Sequence, residues 1–200
     1  YTHSRMCHVL GIEGVAIPTD AGGRMRLDAL EDALKTGRIG TVVTTLGTTG
    51  LGALDPLPEI IALARAHGAR VHVDAAYGGA ALLLPELRDR FSGIERADSV
   101  IIDPHKWLFA PSGSCALLYS DPAKAAAVHT QRGPYLDILH AGDEPVWNPS
   151  DYGFQLTRRA SGLPLWFALA VHGVEAHVAA VRVGVERAKQ AAERLRRHPR

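Results

Sequence analysis

Short β-branched runs alternate with longer stretches of helical spacing along most of the chain. This alternation constrains the fold more than any other feature. Val15–Ile17, Thr41–Thr45, Val71–Asp74, Ser99–Ile102 and Cys115–Tyr119 read as strands. Leu27, Leu30 and Leu34 mark one helix face at three-to-four spacing. Asp55 reads as an N-cap with Pro56 in the first turn, and Gly68 ends that helix. Asp121-Pro122 caps a short Ala-rich helix. Leu163–Val171 and Val174–Arg197 read as two helices joined at Gly173. Strands that alternate with helices predict an α/β fold with a mostly parallel sheet and helices on both faces. Residues 129–150 carry Gly133-Pro134, Gly142, Pro145 and Pro149 with little periodicity, and read as a long functional or mobile loop.

At 200 residues the chain has room for one domain, or for part of a larger one. Lys+Arg 22 against Asp+Glu 21 leaves a net charge of +1, so no overall field attracts nucleic acid or an anionic membrane. The basic end of the last helix, through Arg194, Arg196, Arg197 and Arg200, reads as a solvated complement to the helix dipole rather than a nucleic-acid contact. No apolar run approaches the ~20 residues of a membrane span, and the first residues lack a signal-peptide pattern. Two cysteines, Cys7 and Cys115, suit a reducing compartment and make no metal spacing.

Three places stand out, each just past a strand. Lys106 lies in Asp103-Pro104-His105-Lys106-Trp107-Leu108-Phe109, at the sheet edge where open α/β folds bind ligands. A Lys among apolar neighbours is a Schiff-base candidate, because desolvation favours the neutral amine; it also reads as a Lys that snorkels from an apolar patch. Lys35, Lys124 and Lys189 have ordinary helix-surface explanations. Asp74 ends its strand before the small residues Ala75-Ala76 and Tyr77-Gly78-Gly79. It reads either as a partner for a flat ligand or as a helix N-cap. His72 and Asp74 share one strand face, but no third metal ligand stands at recognisable spacing, so no metal is expected. The loop Leu46–Gly52 offers Thr48 and Thr49 with three glycines, yet no Lys follows where a Walker loop needs one. A Lys, an Asp and a Thr/Gly loop at the strand ends of one parallel sheet suit pyridoxal 5'-phosphate, with the Asp on the pyridine nitrogen.

The chain resembles the group II pyridoxal-phosphate-dependent amino acid decarboxylases, which include the aromatic-L-amino-acid and glutamate decarboxylases. The resemblance runs through LGTTGLGALDPL (46–57), VHVDAAYGG (71–79), GIERADSVIIDPHKWLF (93–109), RGPYL (132–136) and QLTRRASGLPLWF (155–167). It implies the large domain of fold type I pyridoxal-phosphate enzymes. It also implies that residues 1–200 are part of that domain, with an N-terminal part and a C-terminal small domain missing. By the same resemblance Lys106 is the Schiff-base lysine, Asp74 the partner of the ring nitrogen and Ala76 the small residue under the ring. Thr49 contacts the cofactor, and His105 lies near the Schiff base and substrate. Tyr135 is the proton donor of a mobile catalytic loop, and Arg158 a structural arginine. Asp103 falls close to the cofactor phosphate where relatives often have Asn, so a second anion there must be turned away or paired. Ser112–Cys115 also departs from the usual pattern. The family's ring-stacking histidine, counted back from Leu10-Gly11, falls just before Tyr1, and His3 sits late in that register.

The implied activity is decarboxylation of an L-amino acid to its amine and carbon dioxide, in a cytoplasmic homodimer. Another fold type I lyase or aminotransferase is the alternative, disfavoured by the DAAYGG and DPHKW wording. Tyr135 argues against the branch that oxidises the α-carbon. A fold without cofactor is the remaining alternative for the 200 residues alone.

Overall fold

The computed structural model describes residues 2–131, 133 and 148–198. Four strands form one sheet in the order β1 (Thr41–Thr45), β2 (Arg70–Asp74), β3 (Ser99–Ile102), β4 (Ala116–Tyr119). The first three are parallel, with Val42 opposite Val71 and Asp74 opposite Ile101. β4 returns antiparallel on β3, Ile102 facing Ala116. The helices are α1 (Thr2–Leu10), α2 (Leu27–Leu34), α3 (Leu57–Ala66), α4 (Pro122–His129) and α5 (Leu163–Arg197).

The period of two along a strand decides which side chains enter the core. Val42 and Thr44 of β1 and Val71 and Val73 of β2 are buried. Val42, Val71 and Val73 share one cluster with Leu30 and Leu34 of α2 and Ile60, Ile61 and Ala64 of α3. The alternating residues Val43, Thr45, His72 and Asp74 are half-buried on the other face. Asp74 meets α1 there through His3. Helical cover is therefore dense on one face and thin on the other. Gly68 ends α3 as expected, at φ +72, and Ala69 N–H closes the end on Ala64 O at 2.8 Å.

Four expectations need correction. Val15–Ile17 is not a strand. Pro18 follows it and has no N–H to give a ladder, and the only pairing nearby is an isolated bridge from Thr19 to Met25. Asp55 is not the N-cap of α3, since Pro56 holds that position. The Asp55 carboxylate instead accepts from Met25 N–H and Thr45 N–H, each at 2.7 Å, and from the Thr44 hydroxyl at 3.1 Å. It ties the residues before α2 to the end of β1. Asp121 is at the N-cap of α4, but its carboxylate pairs with Lys124 at 3.4 Å rather than with the backbone.

The fourth correction concerns α5. It contains an 18-residue window apolar enough by length and composition to cross a membrane, although no run is uninterrupted. Gly173 breaks that helix at φ 76, ψ 159, as the two-helix reading anticipated. Ten residues rise only ~15 Å, about half the ~30 Å of a hydrocarbon core. Val181 of α5 is buried against Ala80 and Leu84, so α5 also packs on protein.

Candidate functional site

The ends of β1, β2 and β3 bring three segments together. After β1 the loop closes on itself: Gly47 and Thr48 N–H both reach Ala53 O, and the Thr48 hydroxyl accepts from Ala53 N–H at 3.0 Å. Thr48 is thus the staple, and Thr49 stands exposed beside it. The loop rests on the turn after β2 by backbone contact alone. A Cβ on Gly78 would lie 2.1 Å from Leu46 O, and one on Gly47 would lie 2.6 Å from Gly78 Cα. Gly47 also sits at φ +97, where a side chain is strained. Only this pair of glycines lets the two loops touch.

Asp74 ends β2 with both carboxylate oxygens engaged. Oδ1 accepts from Ala76 N–H at 3.0 Å, and Oδ2 contacts His3 Nε2 at 2.9 Å. The His3 hydrogen bond holds the carboxyl below its ordinary range; burial opposes this, and Ala76 N–H and the Lys106 charge assist. Asp74 is therefore ionised at neutral pH. It does not cap a helix, because Tyr77 is the N-cap of the 3-10 turn Gly78–Leu83. His72, on the same strand face, contacts Ser99 Oγ at 2.8 Å, and burial lowers its basicity. No cluster of three or more His, Cys, Asp and Glu suited to a metal occurs among the described residues.

Lys106 sits in a tight turn after β3. Its N–H reaches Asp103 O at 3.0 Å, and Asp103 N–H reaches Ala76 O at 3.1 Å, which joins the turn to the Asp74 segment. The amine pairs with Asp103 Oδ2 at 2.9 Å, with the Lys side chain 40% and the Asp side chain 14% exposed. Lys106 therefore neither snorkels freely nor lies dry. Asp103, the unexpected anion, is paired.

Trp107 fixes the turn. Its ring stacks on Tyr77, centroids 5.2 Å apart and planes within 10°. A Cβ on Gly184 of α5 would come within 3.0 Å of its Nε1. His105 points Nδ1 at the carbonyl of Ser114 in a short contact. The Ser114 hydroxyl is buried and has no hydrogen-bond partner among the described residues. A cavity of about 950 Å3 borders His105, Ser114, Cys115 and Arg158. Arg158 donates to Pro149 O at 3.0 Å and so pins the chain ends that flank residues 149–158. Tyr135 lies outside the described residues.

Asp74, Ala76, Lys106 and Asp103 thus form one connected group, with Thr49 on the neighbouring loop and His105 turned to the 112–115 segment. Sequence reasoning did not anticipate the contact of His3 with Asp74, because a count along α1 says nothing about what lies opposite it. It also missed the Tyr77–Trp107–Gly184 clamp. The only linear sign of that clamp was a glycine inside a helix.

The residues present fit a pyridoxal group. A carboxylate and an amine stand at adjoining strand ends, and the small residues Ala75 and Ala76 follow the carboxylate. The model of the pyridoxal-dependent decarboxylase conserved domain matches residues 1–200. Aromatic-L-amino-acid decarboxylase of Drosophila lebanonensis is 35% identical over 188 residues, covering 92% of this chain and 46% of that protein. The crystal structure of mouse CSAD superposes with a TM-score of 0.87 at 28% identity, covering 99% of this chain and 42% of that one. The crystal structure of Oryza sativa TDC with PLP and tryptamine gives a TM-score of 0.82 at 30% identity, covering 89% and 38%. The chain spans less than half the length of these relatives. With the motif order, the strand-end geometry and a match along its entire length in agreement, the chain belongs to the pyridoxal-dependent decarboxylase family.

Proposed function

We propose that these 200 residues carry the cofactor-holding and catalytic core of a decarboxylase that converts an L-amino acid to its amine and carbon dioxide. The observation that carries this reading is the placement of Asp74 at the end of β2 and of Lys106 in the turn after the adjacent parallel β3, two segments joined by the hydrogen bond from Asp103 N–H to Ala76 O. Bound pyridoxal 5'-phosphate supplies an electron sink for the bond that leaves the α-carbon.

The chain's own residues do the rest. Asp74, ionised and oriented by Ala76 N–H, holds a proton on the ring nitrogen. Lys106 would hold the cofactor through its carbonyl carbon. Ala76 would leave space under the ring, and Thr49 would contact it from the β1 loop. Tyr135 delivers the proton to the α-carbon. His105, with Nδ1 committed to Ser114 O, presents Nε2 as its free nitrogen. Asp103 sits nearest the Lys106 amine. The substrate is an L-amino acid, not a nucleic acid, and the full-length protein is a homodimer. The free thiols Cys7 and Cys115 fit a cytoplasmic setting.

Borohydride reduction of the loaded full-length protein, followed by peptide mapping, tests this reading. The label should fall on Lys106. Lys35 is paired with Glu31 at 3.3 Å, and Lys124 with Asp121. A label on either of these, or on Lys189, overturns the reading.

A further inference from the structure

Lys106 stands between two fastenings, and both land on the segment that follows Asp74. Ahead of it, Asp103 N–H reaches Ala76 O at 3.1 Å. Directly after it, the Trp107 ring stacks on Tyr77 with centroids 5.2 Å apart. Ala76 N–H in turn holds Asp74 Oδ1 at 3.0 Å. α5 closes on the indole edge, since a Cβ on Gly184 would lie 3.0 Å from Nε1 and 3.3 Å from Cζ2. The turn is not relaxed: Phe109 sits at φ 58, a left-handed conformation that a bulky residue keeps only when its surroundings impose it. We propose that Trp107, stacked on Tyr77 and closed in by Gly184 of α5, is a positioning residue that sets where Lys106 stands relative to the ring that Asp74 holds. The inference rests on the proposed role of Lys106.

Trp107 touches no reacting atom and acts only through its neighbour. Capture joins Nζ to the aldehyde carbon as a C=N bond, and the two hydrogens of the neutral amine leave with the aldehyde oxygen as water. Lysine reaches that carbon on a long flexible stem, so the place of its backbone decides whether Nζ meets it in line. A misplacement of about 1 Å at a distance from the chemistry is enough to slow a reaction by about 100-fold. The backing is firm: Trp107 packs against both apolar clusters, and Val181, one turn before Gly184 on α5, is fully buried. Phe at 107 keeps a ring for Tyr77 but deletes the Nε1–Cζ2 edge and leaves a gap at Gly184. A methyl on Gly184 has the reverse effect and pushes on the intact indole. Put together, the two changes fit, because the methyl fills the space that the indole edge has left. Ala is also the better helix former, so a slower Gly184→Ala protein does not trace to a weakened α5.

The test separates the lysine from the rest of the site by giving full-length apo protein two probes. The first is saturating pyridoxal 5'-phosphate, with formation of the C=N bond followed by absorbance and trapped with borohydride. The second is 4-deoxypyridoxine 5'-phosphate, which has a methyl in place of the aldehyde, binds without Lys106 and is read by equilibrium dialysis. Trp107→Phe and Gly184→Ala should each form the bond about three- to tenfold more slowly, with affinity for the second probe within about twofold of wild type. The double variant should react faster than either single one. Val183→Ala, beside Gly184 with its side chain exposed, should match wild type. If Trp107→Phe does not fold, Gly184→Ala decides alone. Wild-type rates in the single variants overturn this inference and leave the proposed function standing. Affinity for the second probe that falls in step with the rate also overturns it, since the clamp would then hold the whole site and not Lys106. A double variant slower than both single ones removes Gly184 from the clamp and overturns it as stated. Absence of label on Lys106 in wild type overturns both this inference and the proposed function.

Discussion

Asp74 shows how much one side chain does. Two hydrogen bonds, from Ala76 N–H and His3, keep it ionised against its burial. An amide in its place fills the same volume but cannot hold a proton on a ring nitrogen. Asp74→Asn should bind cofactor yet lose about 10–200-fold in rate, the range of one charge-assisted hydrogen bond of ~1.5–3 kcal/mol expressed in the transition state. Single-turnover kinetics on loaded protein check this, and wild-type turnover in the variant refutes the role. His72 makes a different prediction. Burial, then the field of His3, lowers its basicity in the folded chain. As pH falls through about 6.5 the unfolded chain takes up a proton that the folded one refuses, so stability drops from there downward. One proton limits the slope to about 1.4 kcal/mol per pH unit. Urea midpoints from pH 7.5 to 5 should fall in wild type and flatten in His72→Gln; the same slope in both excludes His72. The Asp74 contribution has the opposite window. Its lowered pKa stabilises the fold above the ordinary carboxylate range, and that contribution is lost only in stronger acid.

At the scale of elements, the loops after β1 and β2 meet through Gly47 and Gly78 with no side chain between them. Gly78→Ala would put a methyl 2.1 Å from Leu46 O, a backbone atom that cannot swing aside. The expected cost is about 1–3 kcal/mol, towards the upper end, together with weaker cofactor capture, because the Asp74 and Thr49 segments must part. Gly50→Ala, with nothing within 4 Å of its Cβ, is the control. Equal denaturation midpoints for the two would refute the contact. These elements also show what a linear reading can see. β1, β2, β3, the carboxylates at the ends of β2 and β3 and the break at Gly173 were legible, because alternation and helical spacing are local. Lys106, Asp74 and the Leu46–Gly52 loop stand out as candidates in the sequence because each lies at or just past a strand end. Asp55 was misassigned since a carboxylate before a Pro looks like a cap. Its real partners, Met25, Thr44 and Thr45, are set by tertiary packing. Val15–Ile17 has strand composition but no neighbour to pair with. His3 was passed over for the same reason: its value lies in facing Asp74, 71 residues away.

For the whole molecule, the largest unexplained surface is on the first half of α5. Leu163, Trp166, Phe167, Val171 and Val174 are each more than half exposed. With Phe109, Pro111 and His177 the segment borders an apolar cavity of about 530 Å3. Gly173 breaks the helix at φ 76, at the end of this face. Contiguous apolar surface of this kind marks an interaction site. On the proposed homodimer reading this face is a candidate contact, with the aromatic pair Trp166–Phe167, at 4.9 Å between centroids, at its centre. Phe167→Glu buries a charge at that contact and should weaken association by about 2 kcal/mol, a factor of about 30 in the dissociation constant. Leu195→Glu, at the Arg-rich end of the same helix, removes an exposed side chain away from the patch and should leave association unchanged. Sedimentation velocity over a concentration series reads both. A Phe167→Glu dimer as tight as wild type would move the interface elsewhere. Equal weakening by Leu195→Glu would show that the effect is charge alone and not loss of the aromatic anchor.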